Sequence, residues 1–269
     1  MKASVRALVL PLLVAGLLFA GGVAVFQNNL IYFPENPPLA DVFADARHSG
    51  LTPWPDESDY RGLLREPGGP VRGTVLLFHG NAGRAGQREG YANGLTRLGL
   101  RVILAEYPAY GSRPGQLGEA ALVADATATQ ALARRQFSGP LLLVGESLGA
   151  GVAAAVAGTG DVFAVLLITP WDSIASVAAH HYPWLPVGVL LRDRYDSIAS
   201  LSGYRGRIAV VIAEHDSIVP PELGRRLFDS VAEPKRIWTV PAADHNDWMG
   251  RVDPTWWESV IGFLIAQND

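Results

Sequence analysis

The chain has 269 residues, 49% of them hydrophobic, a formal net charge of −4 and no cysteine. That length and apolar content suffice for one sizeable core, and the lack of thiols excludes disulfides, thiolate metal sites and a lipid-modified cysteine. An acidic balance without a Lys/Arg run argues against nucleic acid as a partner, because such binding depends on neutralising phosphates.

From the N-terminus, Lys2 and Arg6 precede Ala7 to Phe26, a run of 20 uncharged, mostly apolar residues. At about 1.5 Å per residue the run spans roughly 30 Å, close to a bilayer's hydrocarbon thickness. Residues 1–26 are therefore predicted as a transmembrane anchor. The alternative is a signal segment cleaved near Gly22-Val23-Ala24, but the run is longer than the usual signal core. The flanking Lys2 and Arg6 favour a cytoplasmic N-terminus, with the remainder on the periplasmic or extracytoplasmic side, or secreted if cleaved. All acidic residues lie from Glu35 onward, so that remainder holds 20 basic against 26 acidic residues.

Residues 27–59, rich in Pro and Asn, are predicted as a membrane-proximal connector with one short helix around 39–46. From Tyr60 to the end, residues 60–269, short apolar stretches alternate with helix-like segments. The strand candidates are 74–79, 101–107, 141–146, 162–169, 208–215 and 236–241. Five of these are nearly continuous apolar runs, as strands buried on both faces must be. Helices are predicted over 87–98, 117–135, 150–157, 221–231 and 255–266. In the second of these, Leu117, Ala121, Ala124, Ala128 and Leu132 share one face. Strict alternation implies an α/β fold with a parallel sheet covered on both sides, and ligand chemistry at the carboxyl ends of the strands.

Those ends carry the chemistry. The first strand leads into His79-Gly80-Asn81-Ala82-Gly83, the second into Tyr107-Pro108-Ala109-Tyr110-Gly111, and the third into Gly145-Glu146-Ser147-Leu148-Gly149. The last fits G-x-S-x-G, in which a sharp strand-to-helix turn presents the serine above the sheet and glycines relieve the crowding. Ser147 is the candidate nucleophile; the alternative is a glycine-rich turn with an incidental serine.

A serine hydroxyl needs a base, and the base an orienting acid. Of six histidines, His245, just after the last strand, is the one placed to serve as base. Asp216, after the fifth strand, is the preferred acid; its other role is a helix cap. Asp172, one strand earlier, is the competing acid. Asp244 and Asp247 flank His245 in sequence and are poorly placed to orient its ring.

With these residues assembled, the chain resembles the α/β-hydrolase superfamily over about residues 60–269, and more narrowly the membrane-anchored serine hydrolases that include lysophospholipases and protein depalmitoylases. The resemblance is carried by LIYFP, LLFHGNAG, EYPAYGSRPG, GESLGAG, EHDSIVP and DHND. The chain departs from that narrower group at Ala109, where arginine or glycine is usual. The resemblance implies an α/β-hydrolase fold and a Ser147–His245–Asp216 triad working through an acyl-enzyme. It also implies an oxyanion hole from the backbone amides of Asn81 and Leu148, a structural role for His79, and no cofactor or metal. Glu146 either tunes the site or bonds locally.

Between the strands ending near Thr169 and beginning at Ile208 lies a short apolar insertion. Tyr182, Trp184 and Leu185 mark it as a lid over an acyl pocket or as packing on the sheet edge. His180-His181 is too isolated for a metal site. The expected activity is hydrolysis of carboxylic esters or thioesters of acyl or lipid type. A serine peptidase of the same fold and a non-catalytic membrane-tethered binding protein are the alternatives.

Overall fold

The computed structural model describes residues 16, 21, 22 and 26–266. Most of the N-terminal apolar run lies outside the described residues, so the predicted anchor falls there; among the described residues no helix is long and apolar enough to cross a membrane.

The core is an eight-stranded sheet in the order β10-β9-β8-β7-β4-β6-β3-β2. Its parallel strands are β4 (Gly73–Phe78), β6 (Leu100–Ala105), β7 (Leu141–Glu146), β8 (Ala164–Ile168), β9 (Arg207–Ala213) and β10 (Lys235–Val240). These are the six predicted strands, 141–146 with the same bounds and the others with ends shifted by one or two residues. All but the edge strand β10 are nearly continuous apolar runs, because alternate side chains enter two separate cores. In β4, Leu76 and Phe78 join one cluster while Val75 and Leu77 join the other; in β9, Val210 and Val211 divide in the same way.

One face is covered by α3 (Glu119–Gln136), α4 (Leu148–Ala157) and α8 (Pro221–Ser230), the other by α1 (Leu39–His48), α2 (Glu89–Thr96) and α9 (Pro254–Ile265). Three short helices occupy the insertion between β8 and β9: α5 (Ile174–His181), α6 (Val187–Leu190) and α7 (Ser197–Leu201). The buried face of α3 is Leu122, Ala126, Thr129, Gln130 and Ala133, whereas Ala124 and Ala128 of the predicted face are exposed. An alanine-rich helix has apolar residues all round, so the larger Leu122 decides which side turns inward.

Residues 27–59, predicted as a connector, are built into the domain. β2 (Thr52–Trp54) pairs antiparallel with β3 (Gly62–Arg65), which pairs antiparallel with β6. Trp54 is buried and its indole N–H donates to Gln136 Oε1 at 2.7 Å. β1 (Phe33–Pro34) runs parallel to β5 (Ala82–Gly83) as a separate two-stranded sheet. The prolines that read as linker sit where they cost nothing. Pro38 precedes the first turn of α1, and Pro53 lies on the outermost strand, where only one neighbour asks for hydrogen bonds.

Candidate active site

Ser147 sits between β7 and α4 with φ 53° and ψ −114°. A non-glycine residue held there costs about 1–3 kcal/mol, which the surroundings must offset. They fix it tightly: Ser147 N–H donates to Ile168 O and Ala150 N–H to Ser147 O, both at 2.9 Å. The flanking glycines are required by close approach. A Cβ at Gly145 would lie 2.2 Å from Gly149 O, and one at Gly149 would lie 2.0 Å from Phe78 O.

The partners arrive from the ends of two adjacent parallel strands. β9 and β10 run in register, Ala213 beside Val240, so the loops that follow them emerge together. His245 Nε2 lies 2.9 Å from Ser147 Oγ, and His245 Nδ1 lies 2.8 Å from Asp216 Oδ2. With a carboxylate as its partner, Nδ1 carries the proton and Nε2 is left to accept from the serine hydroxyl. Asp216 Oδ1 accepts the amide N–H groups of Ile218 at 3.0 Å and Val219 at 2.7 Å, which fixes the carboxylate plane. Ser147, Asp216 and His245 are only 8%, 8% and 7% exposed, so this relay is shielded from bulk water.

Asn81 lies in the turn between β4 and β5, and Leu148 is the first residue of α4. Among the described residues neither backbone N–H has a protein acceptor. Both are unspent donors beside a helix N-terminus, where the peptide dipoles favour negative charge.

No family model matches the chain. It is 37% identical over 252 residues to the uncharacterised protein Rv2307c of Mycobacterium tuberculosis, covering 90% of each chain. It is 29% identical over 186 residues to lysophosphatidylserine lipase ABHD12 of Danio rerio, covering 61% of this chain and 48% of that one. Its fold matches the Pyrococcus furiosus esterase Pf2001 with a TM-score of 0.62 at 16% identity, over 80% of this chain and 87% of that one. The chain has the α/β-hydrolase fold.

Other polar groups sit outside the Ser147–His245–Asp216 chain of hydrogen bonds. Asp172 does not meet His245: its Oδ2 is held by Arg226 at 2.8 Å and its Oδ1 by Ser173 N–H at 2.6 Å. Asp244 does not touch the imidazole either. Its Oδ1 accepts the N–H of Ser217 at 2.8 Å, the Ser217 hydroxyl at 2.9 Å and the N–H of His245 at 2.7 Å, tying the acid loop to the histidine loop. Those bonds, the Ser217 amide first, hold its carboxyl below the usual carboxylate range.

Glu146 pairs with Arg88 Nε at 2.7 Å. Burial opposes the charge on Arg88, but Glu146 more than compensates, so the guanidinium pKa is raised. Arg88 carries no motif in the sequence and was missed there; a lone arginine on a predicted helix gives no signal that it will reach the residue beside Ser147.

Tyr182 and Trp184 of the insertion are exposed and Leu185 is half-buried. The insertion meets the acid loop through His181 Nε2, which donates to Ile218 O at 2.8 Å.

Proposed function

We propose that the protein is a serine hydrolase that cleaves carboxylic ester or thioester bonds through Ser147. The observation that carries this reading is the unbroken hydrogen-bonded chain from Ser147 Oγ through His245 to Asp216, with steps of 2.9 and 2.8 Å. His245 takes the hydroxyl proton as Ser147 attacks the carbonyl carbon, then returns it to the leaving alcohol or thiol, and Asp216 stabilises the imidazolium that forms in between. Water activated by the same imidazole hydrolyses the acyl-enzyme. The Asn81 and Leu148 amides receive the oxyanion; one such donor contributes about 3 kcal/mol to lowering the barrier in comparable sites.

The substrate class we infer is an acyl ester of lipid type. The uncharged run 7–26, read as an anchor with the enzyme domain on the extracytoplasmic side, would hold the site near lipid, and the Danio rerio relative is named a lysophosphatidylserine lipase. The apolar insertion bearing Tyr182, Trp184 and Leu185 would then line the acyl route.

Labelling with a fluorophosphonate probe tests the nucleophile: the wild type is expected to label and Ser147→Ala not to. Label retained by Ser147→Ala would defeat the assignment. Turnover of p-nitrophenyl esters of increasing chain length tests the substrate class, and activity confined to acetate would count against a lipid acyl group.

A further inference from the structure

Glu106, the residue that follows β6, is 1% exposed and takes no part in the proton relay. Three groups hydrogen-bond to it. His79 Nε2 lies 3.1 Å from Oε1, the Ala85 N–H reaches both oxygens at 3.2 and 3.0 Å, and the Tyr60 hydroxyl donates to Oε2 at 3.3 Å. Gly111 packs so closely that a Cβ there would lie 2.1 Å from Oε2. The stretch from His79 to Ala85 thus begins and ends on one buried carboxylate, and Asn81 lies inside it.

His79 also reaches forward: its Nδ1 lies 2.7 Å from Gly80 O. A carbonyl oxygen only accepts, so Nδ1 must carry a proton. Nε2 faces a carboxyl group. The proton between them sits either on the imidazole, giving an imidazolium and a carboxylate, or on Glu106, giving a neutral pair. In both placements Nδ1–H donates to Gly80 O. That carbonyl belongs to the same peptide unit as the Asn81 N–H, and in a trans peptide the two groups point in opposite directions. Pulling Gly80 O toward His79 therefore turns the Asn81 N–H the other way.

The far side of the turn is held as well. Asn81 O accepts the Phe33 N–H at 2.9 Å and the Tyr110 hydroxyl at 2.7 Å, and Asn81 Nδ2 donates to Ile31 O at 3.0 Å. The Tyr107 hydroxyl donates to His79 O at 2.7 Å.

We propose that the His79–Glu106 pair is a positioning device that sets the orientation of the Gly80–Asn81 peptide, so that the Asn81 N–H faces the oxyanion. This rests on the reading of Asn81 as an oxyanion donor in an acyl-transfer enzyme. The device acts on the transition state and not on ground-state binding, because the tetrahedral oxyanion is what the amide must reach.

The test compares three variants with wild type by kcat, KM and affinity for an alkyl boronic acid, whose tetrahedral adduct on Ser147 mimics the intermediate. His79→Phe keeps a ring and removes the donor; it is expected to lower kcat roughly 100-fold and weaken boronate binding in parallel while KM holds. Glu106→Gln leaves an amide N–H to donate to Nε2, so the neutral imidazole keeps its Nδ1 proton and most of the kcat survives. Tyr110→Phe removes one hold on Asn81 O and is expected to lower kcat about tenfold, a second readout if His79→Phe does not fold. Unchanged kcat and boronate affinity in folded His79→Phe or in Tyr110→Phe would overturn the proposal. So would a loss carried by KM alone, or a loss in Glu106→Gln as deep as in His79→Phe. A wild type that neither hydrolyses esters nor labels at Ser147 would instead remove the acyl-transfer reading, and the device with it.

Discussion

Asp216→Asn is the sharpest perturbation of the relay, because the structure dictates which way the new amide must turn. Oδ1 of the native residue is held by two backbone N–H donors, from Ile218 and Val219, and Oδ2 faces His245 Nδ1 at 2.8 Å. Asparagine has the same shape. The two donors keep its oxygen at the Oδ1 position, so its NH2 group faces Nδ1. Two donors repel, and the imidazole proton is driven to Nε2, the nitrogen 2.9 Å from Ser147 Oγ that has to receive the nucleophile's proton. Loss of the correct tautomer in a serine protease lowers kcat about 10⁴-fold. At about 1.36 kcal/mol per tenfold this is about 5.5 kcal/mol in the barrier. The assay is initial-rate hydrolysis of p-nitrophenyl butyrate, with thermal melts to show that the variant is folded. Asp172→Asn is the control. It loses a partner for Arg226 and no bond to His245, and should keep activity within about threefold of wild type. A folded Asp216→Asn variant with more than a tenth of wild-type activity, or an Asp172→Asn variant that falls as far, would refute the reasoning.

Gly149→Ala places a methyl group 2.0 Å from Phe78 O and 2.5 Å from Phe78 C, where backbone has to move. Overpacking of about 3 kcal/mol should lower Tm by roughly 6 to 12 °C, and an unchanged melt would show that α4 is less tightly seated on β4 than described. Arg88→Met leaves Glu146 half-buried without its cation and should cost about 2 kcal/mol, below the range for fully buried pairs. Adding Glu146→Leu should recover more than half of that in denaturant unfolding, whereas simple additivity of the two losses would show no coupling. Asp244 has a folded pKa below its unfolded value, so its contribution is present above about pH 4 and is lost as pH falls through the folded value. The Tm difference between wild type and Asp244→Asn should therefore shrink on acidification, and a difference that widens there would reverse the sign. Removing residues 1–25 should preserve ester turnover, while removal through residue 36 takes away Phe33 and Ile31, which bond to Asn81, and should abolish turnover even if the remainder folds.

The parts of the fold that could be read from the chain are those whose surroundings are uniform. A strand buried on both faces must be apolar at every position, so β4, β7, β8 and β9 declare themselves, and the glycines at 145 and 149 mark the turn that crowding requires. Ser147 and Asp216 follow because each sits just past the end of such a strand, and His245 because it follows the last strand of the sheet, β10. What stayed hidden depends on partners distant in sequence. Glu106 meets His79 across 27 residues and Arg88 meets Glu146 across 58, and neither pairing leaves a local pattern. The buried acid did leave a trace: a lone glutamate closing an apolar strand before an aromatic turn must find donors or neutralise itself. Ala109, the departure from the narrower group, has φ 65°, so a residue with a Cβ stands in a left-handed turn that glycine would enter at lower cost.

The segment that looked least structural is bonded directly to the turn that holds Asn81. Residues 31–33 bond Asn81 through both its carbonyl oxygen and its side-chain amide, so the N-terminal strap and the Asn81 turn form one unit. A strap that continues into a long apolar run would be a poor support if motion of that run reached Asn81. The chain is pinned before it gets there. Gln27 Oε1 accepts the Arg192 N–H at 2.9 Å, Asn28 Nδ2 donates to Leu117 O at 3.2 Å, and the buried Tyr32 hydroxyl bonds Asp193 and lies 3.1 Å from the Tyr195 hydroxyl. Each of these holds sits between Phe26 and Phe33, on the insertion or on the approach to α3. A load applied at Phe26 is therefore taken up in part by the insertion and by Leu117 before it reaches the turn, and the Gly80–Asn81 peptide stays held by His79, Glu106, the Tyr110 hydroxyl and the bonds from Ile31 and Phe33.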